Sequence, residues 1–182
     1  MKVETTGFEG LVVLTPSVFA DERGYFFESY NSDTYSKAGL DFHWVQDNQS
    51  HSKHGAIRGL HFQKAPFAQT KLVRALQGEI LDVVVDLRKA EPTYGKFFSV
   101  VLSAENKKQL LVPRGFAHGF SVLSASADVM YKCDNLYNKQ SESGLMFNDP
   151  SLNIDWKLSP EEMIVSEKDL VLPTFDNLDA NF

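Results

Sequence analysis

Gly55-Ala-Ile-Arg-Gly-Leu-His61-Phe-Gln63, followed by Lys71-Leu-Val-Arg-Ala-Leu-Gln-Gly78, decides how this chain is read. Each piece is a short, mostly apolar run bounded by glycine, which suits a β-strand better than a helix. Successive strand side chains point to opposite faces. His61 is therefore expected to share a face with Ile57, Gly59 and Gln63, and Lys71 with Val73 and Ala75. Polar groups among apolar neighbours must be paired or must serve a ligand.

Working outward, similar runs recur at 10–15, 24–30, 56–63, 69–76, 79–88, 96–103, 108–112, 119–124 and 127–133. Gly, Pro, Asn and Asp punctuate them. Many short strands with little helix between them predict an all-β sandwich or barrel. Leu81, Val83, Val85 and Leu87 fall on one face of their strand and Asp82 and Asp86 on the other, the pattern of a half-buried antiparallel strand. Tyr131 shares a face with Val129 and Cys133. One helix is expected around 31–39, capped by Asn31, Ser32 or Asp33 and stopped by Gly39. A second is expected from Ser159, with Pro160 at the first helical position and Glu162 completing a capping box. His51 and His54 lie in a Ser/Lys-rich stretch and read as exposed loop residues.

The 182 residues predict a single domain with a real core. A net charge of −6 argues against general nucleic-acid binding, which needs a basic footprint. No apolar run approaches the ~20 residues of a membrane span, and the N-terminus lacks a signal-peptide core. The lone Cys133 excludes an intrachain disulfide and reads as a buried small residue, so a cytoplasmic setting is expected.

The spacing of the opening stretch resembles that of the cupin superfamily, in which a glycine, two histidines, a glutamate and a second glycine build a metal site. Here Gln63 stands at the second histidine position and Lys71 at the glutamate position. Pro113-Arg-Gly-Phe-Ala-His118 keeps the second motif. Two imidazoles, an amide and an ammonium make a poor divalent-metal site, because lysine brings its own positive charge. They suit chemistry that sets a cation beside a developing oxyanion.

Further segments carry a closer resemblance. They include Phe19-x-Asp21-x-Arg23-Gly-x-Phe26-x-Glu28, Gln46-Asp-Asn48-x-Ser50, Arg58-Gly-Leu-His61-Phe-Gln63 and Gln69-x-Lys71-Leu-Val-Arg74. Tyr131-Lys-Cys133, Asn148-Asp-Pro150 and Ser166-x-Lys168-Asp169 follow in order. Together these resemble the dTDP-4-dehydrorhamnose 3,5-epimerase family. The resemblance implies a cupin-type jelly roll, a homodimer, a dTDP-sugar substrate and no cofactor or metal. It implies His61 as base, Asp169 as the carboxylate that orients it, Lys71 as the cation beside an enolate oxygen and Tyr131 as general acid. His118 would line the same pocket. Arg23, Arg58 and Lys168 would hold the diphosphate or nearby groups. Glu28, Gln46 and Asn48 would meet base or sugar, with Phe26, Asp47, Tyr137 and Glu142 completing the substrate contacts. Leu136, Phe147 and Lys157 depart from the family pattern near the nucleotide end. The competing readings are a single-centre relative, a metal-dependent cupin and a non-catalytic sugar-nucleotide binding protein.

Overall fold

A computed structural model describes residues 1–182. Two six-stranded sheets face each other. The first is ordered β1 (Lys2–Thr5), β2 (Val12–Thr15), β10 (Gln109–Val112), β7 (Lys71–Gln77), β12 (Ser126–Cys133) and β5 (Gln46–Lys53), antiparallel throughout. The second is ordered β13 (Glu142–Gly144), β6 (Ala56–Gln63), β11 (Phe116–Val122), β8 (Glu79–Asp86) and β9 (Phe97–Ser103). Its sixth strand, β14 (Ile164–Val165), runs parallel to β6 against Ala56 and Ile57. β3 (Phe19–Asp21) and β4 (Gly24–Phe26) form a separate hairpin. The expected jelly-roll sandwich is therefore present, with its sheets left open rather than closed into a barrel.

Alternation explains the layers. Val73, Leu110 and Val129 from the first sheet meet Ile80, Val84, Phe120 and Val122 from the second in the inner core. The outer face of the second sheet buries Leu60, Phe62, Val83 and Val85 under Leu145, Phe147 and Trp156. The outer face of the first buries Leu14, Leu72 and Leu111 under Tyr35 of α1 (Ser32–Lys37). Asn31 is the cap of that helix, accepting from the Asp33 and Thr34 amides at 3.0 and 3.2 Å. β8 is not half-buried as its alternation suggests. The C-terminal segment covers the face of Leu81, Val83, Val85 and Leu87, and the face of Asp82 and Asp86 turns inward, where both carboxylates are fully enclosed.

Four further differences have local causes. His61 does not share a face with Ile57. The register of β6 on β11 shifts by one residue between His118 and Phe120, opposite Gly59. Ile57 then faces the outer core with Leu60 and Phe62, while Arg58 and His61 face inward. The helix at Ser159 does not form. Glu162 does accept from the Ser159 amide at 2.8 Å, but the chain makes one turn and leaves as β14 to pair with β6. A Cβ on Gly55 would overlap the Glu162 carbonyl, so that glycine admits the segment. The 24–30 run is strand only at Gly24–Phe26. Finally, 46–53 is a strand although its residues are polar, because it forms a sheet edge whose inner face lines a cavity. His51 is thus on a strand, bonded to Asp128 at 2.7 Å, and His54 is in the turn beyond it.

Gly59 has φ +126, and a Cβ there would fall 2.5 Å from the Gly119 Cα and 2.8 Å from the His118 carbonyl oxygen. Both obstacles are backbone. Gly59→Ala is expected to destabilise the fold by about 3 kcal/mol, read as a lower denaturation midpoint. A change below ~0.5 kcal/mol, the level of a neutral surface substitution, would mean that the two strands can part at no cost.

Candidate active site

Between the sheets lies a cavity of about 860 Å³. The second sheet contributes Arg58, His61 and His118 to its lining, and the first contributes Gln46, Asn48, Lys71 and Tyr131. Tyr137, Glu142, Lys168 and Asp169 come from the segments around β13 and β14.

His61 Nε2 lies 2.6 Å from Asp169 Oδ1, across 108 residues of chain. Pairing of β14 with β6 delivers the 3₁₀ turn Asp169–Val171 to that point. Burial works against a charge on Asp169. Hydrogen bonds, first from His61 and then from Ser166 and the Gly59 amide, outweigh it and hold the carboxyl below the usual range. A carboxylate accepting from Nε2–H leaves the imidazole lone pair on Nδ1, the arrangement of an oriented base.

His118 is paired in the same way. Its Nε2 lies 2.9 Å from Asp82 Oδ1 and 3.1 Å from Oδ2, and both residues are buried. Sequence reading did not single out Asp82. Its position on the inner face of β8, opposite four apolar residues, was the available signal.

Lys71 lies on the facing wall, with Nζ 5.9 Å from the centroid of the Tyr131 ring. Burial pulls its ammonium below the usual lysine range, against the opposing influence of Cys133, Asp82 and Glu142. Burial, then Cys133, pushes the Tyr131 phenol up, so it holds its proton at neutral pH. Cys133, fully buried, is pushed up to about 11 by its own burial and stays a thiol.

At the rim, Tyr137 donates to Glu142 Oε2 at 2.9 Å and Lys168 donates to Oε1 at 3.1 Å. Burial opposes the charge on Glu142, but those two bonds and the Lys168 charge hold its carboxyl below the usual range. Arg58 is aimed by Ser52, whose Oγ accepts from Nε at 2.8 Å, and by the His51 carbonyl.

Arg23, Phe26, Glu28 and Asp47 do not line the cavity. Arg23 and Phe26 sit on the exposed β3–β4 hairpin, with Arg23 bonded to Asp21 at 2.6 Å. Glu28 accepts from Asn31 and borders a separate hollow of about 250 Å³. Asp47 falls between Gln46 and Asn48, so alternation turns it to the other face, where it pairs with Lys132 at 3.0 Å. No group of three or more His, Cys, Asp or Glu side chains is placed to hold a metal ion. No helix is long and apolar enough to cross a membrane.

A jelly roll with an oriented imidazole on one wall, and an ammonium and a protonated phenol on the other, defines a proton-transfer cupin. Known proteins that resemble this chain narrow that class. The sequence model of the dTDP-4-dehydrorhamnose 3,5-epimerase family matches residues 5–177. The chain is 48% identical over 171 residues to the dTDP-4-dehydrorhamnose 3,5-epimerase of Shigella flexneri, covering 93% of each. Its structure superposes on that of the same enzyme from Elizabethkingia anophelis with a TM-score of 0.92, at 52% identity over 97% of each chain. The Legionella pneumophila 3,5-epimerase, solved with dTDP-4-keto-L-rhamnose, gives a TM-score of 0.93 at 43% identity, covering 98% of this chain and 94% of that one. The chain belongs to the dTDP-4-dehydrorhamnose 3,5-epimerase family.

Proposed function

We propose that residues 1–182 act as one catalytic domain that inverts carbons 3 and 5 of dTDP-4-dehydro-6-deoxy-D-glucose, giving dTDP-4-dehydro-L-rhamnose. The observation that carries this is the division of the cavity. His61 stands on the second sheet, and Tyr131 and Lys71 stand on the first.

The ketone at carbon 4 acidifies the C–H bonds at carbons 3 and 5. His61 Nδ1 takes one such proton, and the electron pair moves onto the ketone oxygen as an enolate. Asp169 stabilises the imidazolium. Lys71 Nζ, with His118 held by Asp82, faces the oxygen where that charge develops. Tyr131 then returns a proton from the opposite wall. The C–H bond broken on one face is remade on the other, and the centre inverts. Solvent restores the phenol proton and removes the imidazolium proton. Nothing is oxidised or reduced, so the step calls for no redox cofactor. Arg58 and Lys168 supply cations for the diphosphate, and Tyr137 a ring for the base.

The placement of Arg23, Phe26 and Glu28 supports a homodimer in which the β3–β4 hairpin of one copy completes the cavity of the other. Phe19, Tyr25 and Phe26 are exposed on that hairpin. β5 leaves one edge unpaired along residues that line the cavity, and an added strand could use it. Sedimentation should give twice the mass of one chain; a monomer that turns over at full rate would remove the hairpin from the site. A cytoplasmic setting accords with the free thiol of Cys133.

The reaction is tested by proton NMR with dTDP-4-dehydro-6-deoxyglucose in deuterated water. Deuterium entering at both carbons, with a product that a rhamnose-forming reductase accepts, is expected. Exchange at one carbon would make the protein a single-centre epimerase, and exchange at neither would overturn the assignment.

A further inference from the structure

The backbone of the loop that carries Tyr137 is held by three glutamine side chains rather than by a strand ladder, while the Asn135 side chain donates to the Pro66 and Ala68 carbonyls at 3.0 and 3.4 Å. Gln69 Nε2 donates to the Asn135 carbonyl at 2.8 Å. Gln63 Nε2 donates to the Leu136 carbonyl at 3.2 Å and to the Phe67 carbonyl at 2.7 Å. Gln46 Oε1 accepts from the Tyr137 amide at 2.9 Å, and Gln63 Oε1 accepts from the Asn138 amide at 2.6 Å. None of these four loop groups bonds to another backbone group. Three of these groups are partly buried, where a main-chain polar group without a partner is costly, and the Tyr137 amide is exposed. A primary amide supplies a donor and an acceptor from one planar group, so it can replace a missing peptide neighbour.

We propose that Gln63, Gln69 and Gln46 form a clasp that holds the 135–138 loop in its ligand-ready position, with Gln63 as a positioning residue that acts through Tyr137. Gln46 belongs to the first sheet, Gln63 to the second, and Gln69 to the lead into β7. The clasp therefore registers the loop to both walls of the cavity at once. Gln63 is 5% exposed, and its bonds with Phe67, Leu136 and Asn138 commit both ends of its amide to the protein, leaving the substrate to meet Tyr137 instead. Holding the loop before binding removes an ordering cost from the binding step. The ligand role of Tyr137 rests on the functional reading above.

The test pairs a ligand-free measurement with a ligand-dependent one. Gln63→Met keeps length and volume but removes every bond of the amide. Hydrogen–deuterium exchange should show the Asn138 and Tyr137 amides opening at least about tenfold faster than in the parent protein, with protection in β6 and β11 unchanged. Gln69→Met, which frees only the Asn135 carbonyl, should show a smaller change in the same peptide. For dTDP binding by calorimetry, Gln63→Met should weaken affinity about tenfold, and in turnover KM should rise while kcat falls less than about threefold. Adding Gln63→Met to Tyr137→Ala should cost little more than Tyr137→Ala alone. Unchanged exchange in both methionine variants would overturn the clasp. Faster exchange with unchanged dTDP affinity, or fully additive losses, would overturn the positioning role. A parent protein that fails to bind dTDP would sink the functional reading, while the exchange data would still decide the clasp.

Discussion

His61→Asn is expected to lower turnover on the order of 10³–10⁴-fold while leaving the protein folded and able to bind dTDP. Asparagine can keep a donor toward Asp169 Oδ1, so the buried carboxylate is not left bare. It offers no group that can take a proton near neutral pH. Deuterium wash-in at carbons 3 and 5 should vanish together with product formation, because both depend on the same abstraction. The dTDP affinity should stay within about threefold, since the proposed base acts on a sugar that dTDP lacks. Wash-in that persists within tenfold of the parent rate would assign proton abstraction to another residue. His118 is then the first candidate, being the buried imidazole on the cavity wall that is also backed by a carboxylate.

Lys71→Met should cost about 10²–10³-fold in turnover, the scale of losing one donor to a developing oxyanion. It should also stabilise the fold. Burying an ammonium is unfavourable, and methionine fills similar space at no such cost. A rise of about 2–4 °C in Tm, corresponding to ~1 kcal/mol, is expected. A residue kept for packing would move both quantities down together. The pH profile gives a third reading. Lys71 is held below the usual lysine range. Its charged form is present below that folded pKa and is lost as pH rises through it. Turnover should therefore fall on the alkaline side earlier than an ordinary lysine near about 10.4 allows. Lys71→Arg should push that limb upward, and Lys71→Met should lack it. A variant that keeps the parent rate would leave the enolate oxygen to His118 alone.

The strands that make the two walls were legible because their apolar residues alternate and because glycine, proline and asparagine bound them. β5 was not, since an edge strand that also lines a polar cavity has no reason to be apolar. The shift at Gly59 was hidden as well. Alternation assumes an unbroken period of two, and one shifted residue exchanges the faces on either side of it. The turn at Ser159 misled for a different reason. Its capping interaction is real, but pairing of Ile164 and Val165 with β6 outweighs one turn of helical preference. Among site residues, His61, Lys71 and Tyr131 stood out as polar groups on apolar faces. Asp169 did not, because only the fold joins it to His61, and its place in the reading came from resemblance. Gln63 and Gln46 stood out in the sequence as cavity residues, but nothing local showed that they and Gln69 serve loop backbone far away in the chain.

The distance along the chain between the base and its carboxylate has a consequence for synthesis. At ~5–20 residues per second, a ribosome adds Asp169 roughly 5–20 s after His61. In that interval the strands from β7 to β13 are added, while the imidazole of His61 lacks the carboxylate it pairs with. The nascent chain can gather much of its walls before the proposed base has its partner, and that last pairing waits for the two residues of β14 to find their seat on β6.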